Sequence, residues 1–347
     1  MEGTPIRVEQ EGLADGWDPY VRTHPHGTPF HLRAWCNAVE EAYGHRPDHL
    51  TARQEGRLVG VLPLFEVNSL LAGRLLVSVP YATYGGILAD SHEAAQALFD
   101  NAKDLASDVG AKYLELRHRE ASGLDLPVID RYDTFRKTLP ETVDEVLAGL
   151  PRKARAAARK GIKILGEEAA DIGPQWLDAV YDLYTVSLRR LGSPNYSRRF
   201  FHALRENFGE DCICLVVRDE GKPTSGVVSF VFRDEIVPYF SGCLEEALPR
   251  QVNNVMYLRL MEFAVRRGLR VFDFNRTRRD NHGPYDFKRH HGFEPTPLHY
   301  QVYLSGTDTM PNLTPSNRTY ALAGRVWQKL PLWITRPVGA RITKWVP

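Results

Sequence analysis

The sequence predicts an α+β fold built from two copies of one unit, each a mixed sheet flanked by helices. Three observations predict it: a repeated order of elements, a constant offset between matching glycines, and a basic linker between the copies. In the first copy a helix over Arg33–Tyr43 leads to a strand at Leu50–Arg53, the tight turn Glu55-Gly56 and a strand at Leu58–Val67. In the second, a helix over Trp176–Leu191 leads to Ile213–Arg218, the turn Glu220-Gly221, Val227–Phe232 and Val237–Gly242. Gly110 and Gly268, Leu116 and Phe274, and Gly85 and Gly242 are separated by nearly the same number of residues, in the same order along the chain.

Each copy then closes with a helix, a glycine and a strand. In the first, the apolar run Leu75–Val79 reaches Pro80, Tyr81, Tyr84, Gly85 and Gly86. A helix over Glu93–Val109 stops at Gly110, and the strand Tyr113–Leu116 ends at Arg117, His118 and Arg119. In the second, apolar residues at helical spacing run from Asn253 to Arg267, an asparagine caps the start, and Gly268 is the stop. The strand Leu269–Phe274 follows, with Asp273 on a mostly apolar segment, where a carboxylate is costly to bury unless paired. A loop crowded with Asn275, Arg276, Tyr285, Lys288, His290 and His291 leaves that strand end, the kind of place where a site is built.

The linker is informative by its charge. Pro151 opens a helix carrying Arg152, Lys153, Arg155, Arg159, Lys160 and Lys163 with no acid, interleaved with alanines and stopped at Gly161. Arg152, Arg155 and Arg159 share one face, and a face of like charges repels itself unless an anion neutralises it. Its other reading is a solvated, alanine-rich connector. The boundaries implied are a first unit over 1–145, the linker helix 146–165, a second unit over 166–308 and a tail over 309–347.

Composition bounds the function classes. The 347 residues suffice for two domains, and 43% hydrophobic content with a net charge of +1 argues for a globular chain. No window approaches the length of a spanning helix, which places the protein in the cytoplasm, at the inner face of the membrane if the tail binds there. Duplex DNA recognition needs a broader basic footprint and is disfavoured. Cys36, Cys212, Cys214 and Cys243 lack zinc or redox spacing, adjacent His290 and His291 diverge, and no metal site is expected. The tail carries Arg318, Arg325, Lys329, Arg336, Arg341 and Lys344, no acid from Thr309 onward, and tryptophans at 327, 333 and 345. With Pro331 and Pro337 expected to break it into short helices, it suits peripheral contact with an anionic membrane; packing on the second unit is the alternative.

With these motifs in view, the chain resembles the FemAB-like branch of the GNAT acyltransferase superfamily, in particular the FemAB-related proteins of bacterial exopolysaccharide loci. The resemblance rests on Pro151–Ile164, on Leu188–Pro194 with Arg190, and on Asn253-Asn254 through Phe272-Asp273-Phe274-Asn275-Arg276 to Tyr285-Asp286-Phe287-Lys288-Arg289-His290-His291-Gly292-Phe293. It implies two GNAT-like domains and amide formation on an amino group of a cell-envelope precursor, nucleotide- or lipid-linked. It also implies no resident cofactor, the donor being a co-substrate, aminoacyl-tRNA or acyl-CoA. Acetyl-CoA-dependent relatives cradle the pyrophosphate on a glycine-rich turn at the helix matching 253–267, whereas here Arg250-Gln251-Val252-Asn253-Asn254 holds no glycine. That departure favours the acceptor end of a charged tRNA over coenzyme A. An acetyl-CoA-type N-acyltransferase and a non-catalytic assembly protein at the membrane surface remain the rival readings.

Roles follow for single residues. Lys288 matches the lysine of the family's Phe-Lys motif and would stabilise an oxyanion. Asp273 would accept a proton or orient a partner, unless it is tied in a salt bridge to Arg276 or Arg270. Tyr285 and Tyr239 would bond substrate, Tyr84 beside Gly85-Gly86 would face the acceptor, and Arg155, Arg159, Lys160, Arg190, Asn253, Asn254, Asn275, Arg276 and His290 would bind anionic or polar groups.

Overall fold

The computed structural model describes residues 4–10, 12–69, 72–305 and 318–345. The elements that position the site are, in chain order, β1 (Gly73–Val77), α1 (His92–Asp108), β2 (Tyr113–His118), β3 (Tyr132–Thr138), α2 (Arg152–Leu165) and α3 (Leu177–Leu191). They continue with β4 (Glu235–Cys243), α4 (Val252–Arg266), β5 (Val271–Asp273), α5 (His282–His290), β6 (His299–Leu304), α6 (Arg318–Lys329) and α7 (Leu332–Thr343).

Two compact units form. One comprises 1–131, 297–313 and 342–347, the other 132–296 and 314–341. The expected boundary at 145 is therefore corrected, because each unit takes a strand from the far half of the sequence. β3 enters the second unit's eight-stranded sheet, antiparallel to β5 through Arg136↔Asp273. β6 enters the first unit's six-stranded sheet, antiparallel to β2 from His299↔His118 to Leu304↔Tyr113. Each of these strands fills a sheet position that would otherwise be an exposed edge, so a cut between the copies removes backbone partners from both units.

The repeat is visible in the pairing. β1 runs parallel to β2 through Leu76↔Leu114, with α1 as the crossover. β4 runs parallel to β5 through Ile236↔Phe272, with α4 as the crossover. Both tight turns have two residues at positive φ, Glu55 and Gly56 at 52° and 79° and Glu220 and Gly221 at 50° and 80°, the hairpin geometry that suits strand twist. Separate cores result, one around Leu62, Leu76, Leu98 and Leu114, the other around Leu215, Val227, Met256 and Phe272.

Three expectations change. The run Leu58–Val67 is two strands, Arg57–Leu62 and Phe65–Ser69, pairing in different sheets. The polar segment after β5 contains α5. Pro337 lies inside α7 instead of breaking it, while the break at Pro331 falls between Lys329 and Leu332. Of the expected tail, 309–317 and 346–347 lie outside the described residues, and 318–345 is no free appendage. In the second unit Gly324 lies so close to Gly192 that a Cβ on Gly192 would sit 2.9 Å from the Gly324 carbonyl oxygen, and Arg336 pairs with Asp182 at 3.0 Å. Among the described residues no helix is long and apolar enough to cross a membrane.

Candidate active site

In the second unit the parallel register of β4 and β5 is confined to Glu235↔Val271 and Ile236↔Phe272. Past it, β4 carries a bulge that skips Tyr239, since Val228 faces Phe240 while Ser229 faces Pro238. Two residues past β5, Asn275 is held in the left-handed region at φ 59°. The Asn275 amide nitrogen donates to the Pro238 carbonyl at 2.8 Å, tying the two strand ends together. Its Oδ1, and the Oγ of Ser229, the residue opposite Pro238 in the register, are buried with no hydrogen-bond partner. Buried orphan acceptors are uncommon and mark a place where a ligand's donors are expected.

Lys288 closes this end. Its stem is half-buried on α5 and its ammonium is set inward, 2.6, 3.0 and 3.3 Å from the carbonyl oxygens of Phe274, Asn275 and Arg276. The faces of Phe135 and Phe274 lie 5.2 and 5.7 Å from the cation. Burial pushes its pKa down to about 7, against the pull of the Asp273 carboxylate. Three carbonyls favour the charged form, so the ammonium is a clamp on the strand end. The Lys288 ammonium is thus fixed by carbonyl oxygens and is not the surface lysine of a polar loop.

Asp273 is 1% exposed; its carboxylate is ion-paired with Arg136, 3.2 Å from Nε, and accepts the Asn275 backbone N–H at 2.7 Å. The salt-bridge alternative describes it, with Arg136 of β3 replacing the expected Arg276 or Arg270. There it shapes the turn. Tyr285 donates its hydroxyl to Asp133 at 2.7 Å, and Asp133 also pairs with Arg279 at 2.8 Å. Burial first and then Asp133 raise the phenol's pKa, which leaves Tyr285 a positioning group and a poor acid at neutral pH. Arg276 lies over the Tyr132 ring at 4.8 Å, Tyr239 is half-buried at the bulge, and His290 is exposed at the end of α5, while His291 turns inward onto Phe287.

At the other end of β4, Asn253 Nδ2 and an Arg190 nitrogen converge on Cys243 Sγ at 3.5 and 3.9 Å. Asn254 donates to Gln251 at 3.0 Å. Gln251, at φ 63°, caps α4 without a side-chain hydrogen bond, and Arg250 is held by Asp219. α2 packs against this first turn, so that a Cβ on Gly161 would lie 2.5 Å from Val255 Cγ2 and 3.1 Å from Gln251 Cβ. Along α2, Arg159 and Lys160 are exposed and Arg155 donates to the Ala148 carbonyl at 2.7 Å. Between the two ends, Tyr257 donates to Ser241 at 3.2 Å and stacks edge-on against Phe274.

The first unit holds its own cavity, of about 490 Å³, walled by Tyr84, Gly85, Gly86, His31, His118 and Arg119, with the start of α1 opening onto it. The loop after β1 is unusual: Val79 and Tyr81 have φ of 58° and 62°, and buried Arg117 bonds the Val79 and Ala82 carbonyls at 3.3 and 3.1 Å. A β-branched residue in that region is strained, and the arginine holds it there. Gly86 is required by contact, since a Cβ would lie 2.3 Å from the His118 ring. His118 Nε2 accepts the Ile87 N–H at 3.0 Å, which puts the ring proton on buried Nδ1, an atom with no partner. Burial lowers this imidazole to about 4 and His31 to about 3, so both are neutral donors near pH 7. Tyr84, named from sequence, packs under the Arg119 guanidinium at 5.8 Å. His31, Ser229 and Asp133 escape the sequence reading, in which His118 and Arg119 figure only as a strand end. Arg117-His118-Arg119 stand at the end of β2 as Asn275 and Arg276 stand just past β5, and that symmetry is the signal that could have found His118 and Arg119.

Among the described residues no group of His, Cys, Asp and Glu could hold a metal ion. Residues 148–289 match the acetyltransferase (GNAT) domain family. The fold is also that of FemX, at a TM-score of 0.67 and 14% identity, covering 86% of this chain and 98% of that one. It is shared by a tandem GNAT protein of the clavulanic acid biosynthesis pathway, at 0.53 and 13%, covering 88% and 100%. The L-PGS from Bacillus licheniformis follows at 0.50 and 13%, covering 78% and 87%. No curated protein matches the sequence. Residues 148–289 therefore form a GNAT acyltransferase domain, and the chain as a whole has the fold of FemX and of the tandem GNAT protein.

Proposed function

We propose that the protein transfers an acyl group from aminoacyl-tRNA to an amino group of a nucleotide- or lipid-linked cell-envelope precursor, forming an amide. The observation that carries the choice of donor is the start of α4. A pyrophosphate needs open backbone N–H groups and room for close approach. Here a glutamine caps the helix, α2 is packed against its first turn through Gly161, and the turn leading in carries Glu245 and Glu246. Coenzyme A is disfavoured on sterics and charge together. α2 instead offers exposed Arg152, Lys153, Arg159, Lys160 and Lys163 to a polyanion.

In this reading the ester end of the donor lies between the parted ends of β4 and β5. Asn275 Oδ1 and Ser229 Oγ accept its donors, and the Lys288 ammonium takes the carbonyl oxygen as the attacking amine converts it to an oxyanion. The first unit's own cavity, with Arg119 and the His118 N–H, suits an anionic group. Calorimetry with coenzyme A and with a short RNA bearing a stable aminoacyl 3′ end tests the donor. The proposal expects RNA binding that weakens in an Arg159→Ala, Lys160→Ala double variant, and no coenzyme A binding. Tight coenzyme A binding without RNA binding overturns it.

A further inference from the structure

We propose that the outward face of α6 and the start of α7 docks on an anionic lipid bilayer. The four most exposed large apolar residues described are Trp333 at 76%, Leu322 and Leu191 at 64% and Val326 at 54%. Three of the four lie on these two helices, and Leu191 adjoins Gly192, the point where α3 touches α6. Leu322 and Val326 are one turn apart, as are exposed Arg325 and Lys329, so the apolar pair and the cationic pair run side by side along α6. The inner face is already occupied: Gly324 meets Gly192, the Leu330 carbonyl receives Arg189 at 3.3 Å, and Arg336 spans Asp182 and Thr185. Packing on the second unit therefore fixes the helices and leaves this face to solvent.

Charge selects the occupant. From Thr309 to the C-terminus the sequence holds no acid, and Arg336, half-buried, is the tail cation held by Asp182. Two copies meeting face to face would oppose like charges, whereas anionic headgroups neutralise them while Trp333, Leu322 and Val326 enter the interface. Neither helix is long and apolar enough to span, so the contact is peripheral.

The test is co-sedimentation of the full chain with phosphatidylcholine vesicles, with and without phosphatidylglycerol. Binding is expected only with the anionic lipid, with a blue shift of tryptophan emission that Trp333→Ala diminishes. A Leu322→Glu, Val326→Glu double variant should lose binding. Reversing Arg325 and Lys329 to glutamate should lower partitioning by more than about tenfold. These side chains are exposed, so thermal unfolding of each variant should match the parent. Failure of the parent to bind, binding that survives both double variants, or a dimer by light scattering that Leu322→Glu dissolves would each overturn the proposal, the last in favour of self-association.

Discussion

At the scale of the residue, Lys288 and Asp273 make opposite predictions. Lys288→Ala removes the ammonium that clamps the end of β5 and should lower transfer by about 10²- to 10³-fold. It also leaves three carbonyls without their donor, a loss of about 1 to 3 kcal/mol visible as a lower Tm. Oxyanion stabilisation needs the protonated amine. With its pKa pushed down to about 7, activity should fall as pH rises through that value, and Lys288→Arg should remove this alkaline limb. An unchanged limb in the arginine variant, at measurable activity, would take Lys288 out of the chemistry. Asp273→Asn, by contrast, weakens a buried pair with Arg136, which keeps Glu235 as a second partner. Its cost should appear in stability, about 2 to 3 kcal/mol, with turnover of the folded protein within a few fold. A large loss of turnover at unchanged Tm would restore the proton-acceptor role.

At the scale of the element, α2 joins the donor argument to the packing argument. Gly161→Leu should force α2 away from Gln251 and Val255, destabilising by about 1 to 3 kcal/mol, and denaturant unfolding measures it. If α2 also carries RNA, neutralising Arg159 and Lys160 should flatten the salt dependence of RNA binding, lowering the log–log slope by roughly 0.7 for each phosphate no longer neutralised. An unchanged slope returns α2 to a solvated connector. These elements were largely legible because their signals are local. α4 is Val252–Arg266 against an expected 253–267, α1 is His92–Asp108 against 93–109, and both Glu-Gly turns are present. What stayed hidden depends on distant partners. β3 and β6 carry strand-like residues, but nothing local says that each pairs in a sheet built by the other half. Asp273 was read against arginines close in sequence, while its partner Arg136 arrives on β3. α5 is short, with Gly283 and Pro284 in its first turn, so polarity masked its helical period.

At the scale of the whole molecule, ionisable groups are distributed unevenly. His31, His45, His49 and His118 of the first unit are all pushed down to between about 3 and 4 by burial. The unfolded chain takes up these protons near pH 6.5 and the folded unit only near 3 to 4, so stability is full above 6.5 and falls as pH drops through that window. Each contributes roughly 2 kcal/mol of loss between pH 6.5 and 5, and His118→Asn should shrink the difference in Tm between pH 7 and pH 5. An identical difference would mean that His118 is already protonated or solvated in the native state. The central claim, that this tandem GNAT chain builds an amide from an aminoacyl donor, is tested most directly by mass spectrometry of the acceptor. The purified protein is incubated with a nucleotide-linked, amine-bearing envelope precursor and either charged tRNA or acetyl-CoA. The account predicts addition of an amino-acid residue from charged tRNA, absent with Lys288→Ala, and no acetylated product. Acetylation from acetyl-CoA with no aminoacylated product would contradict it.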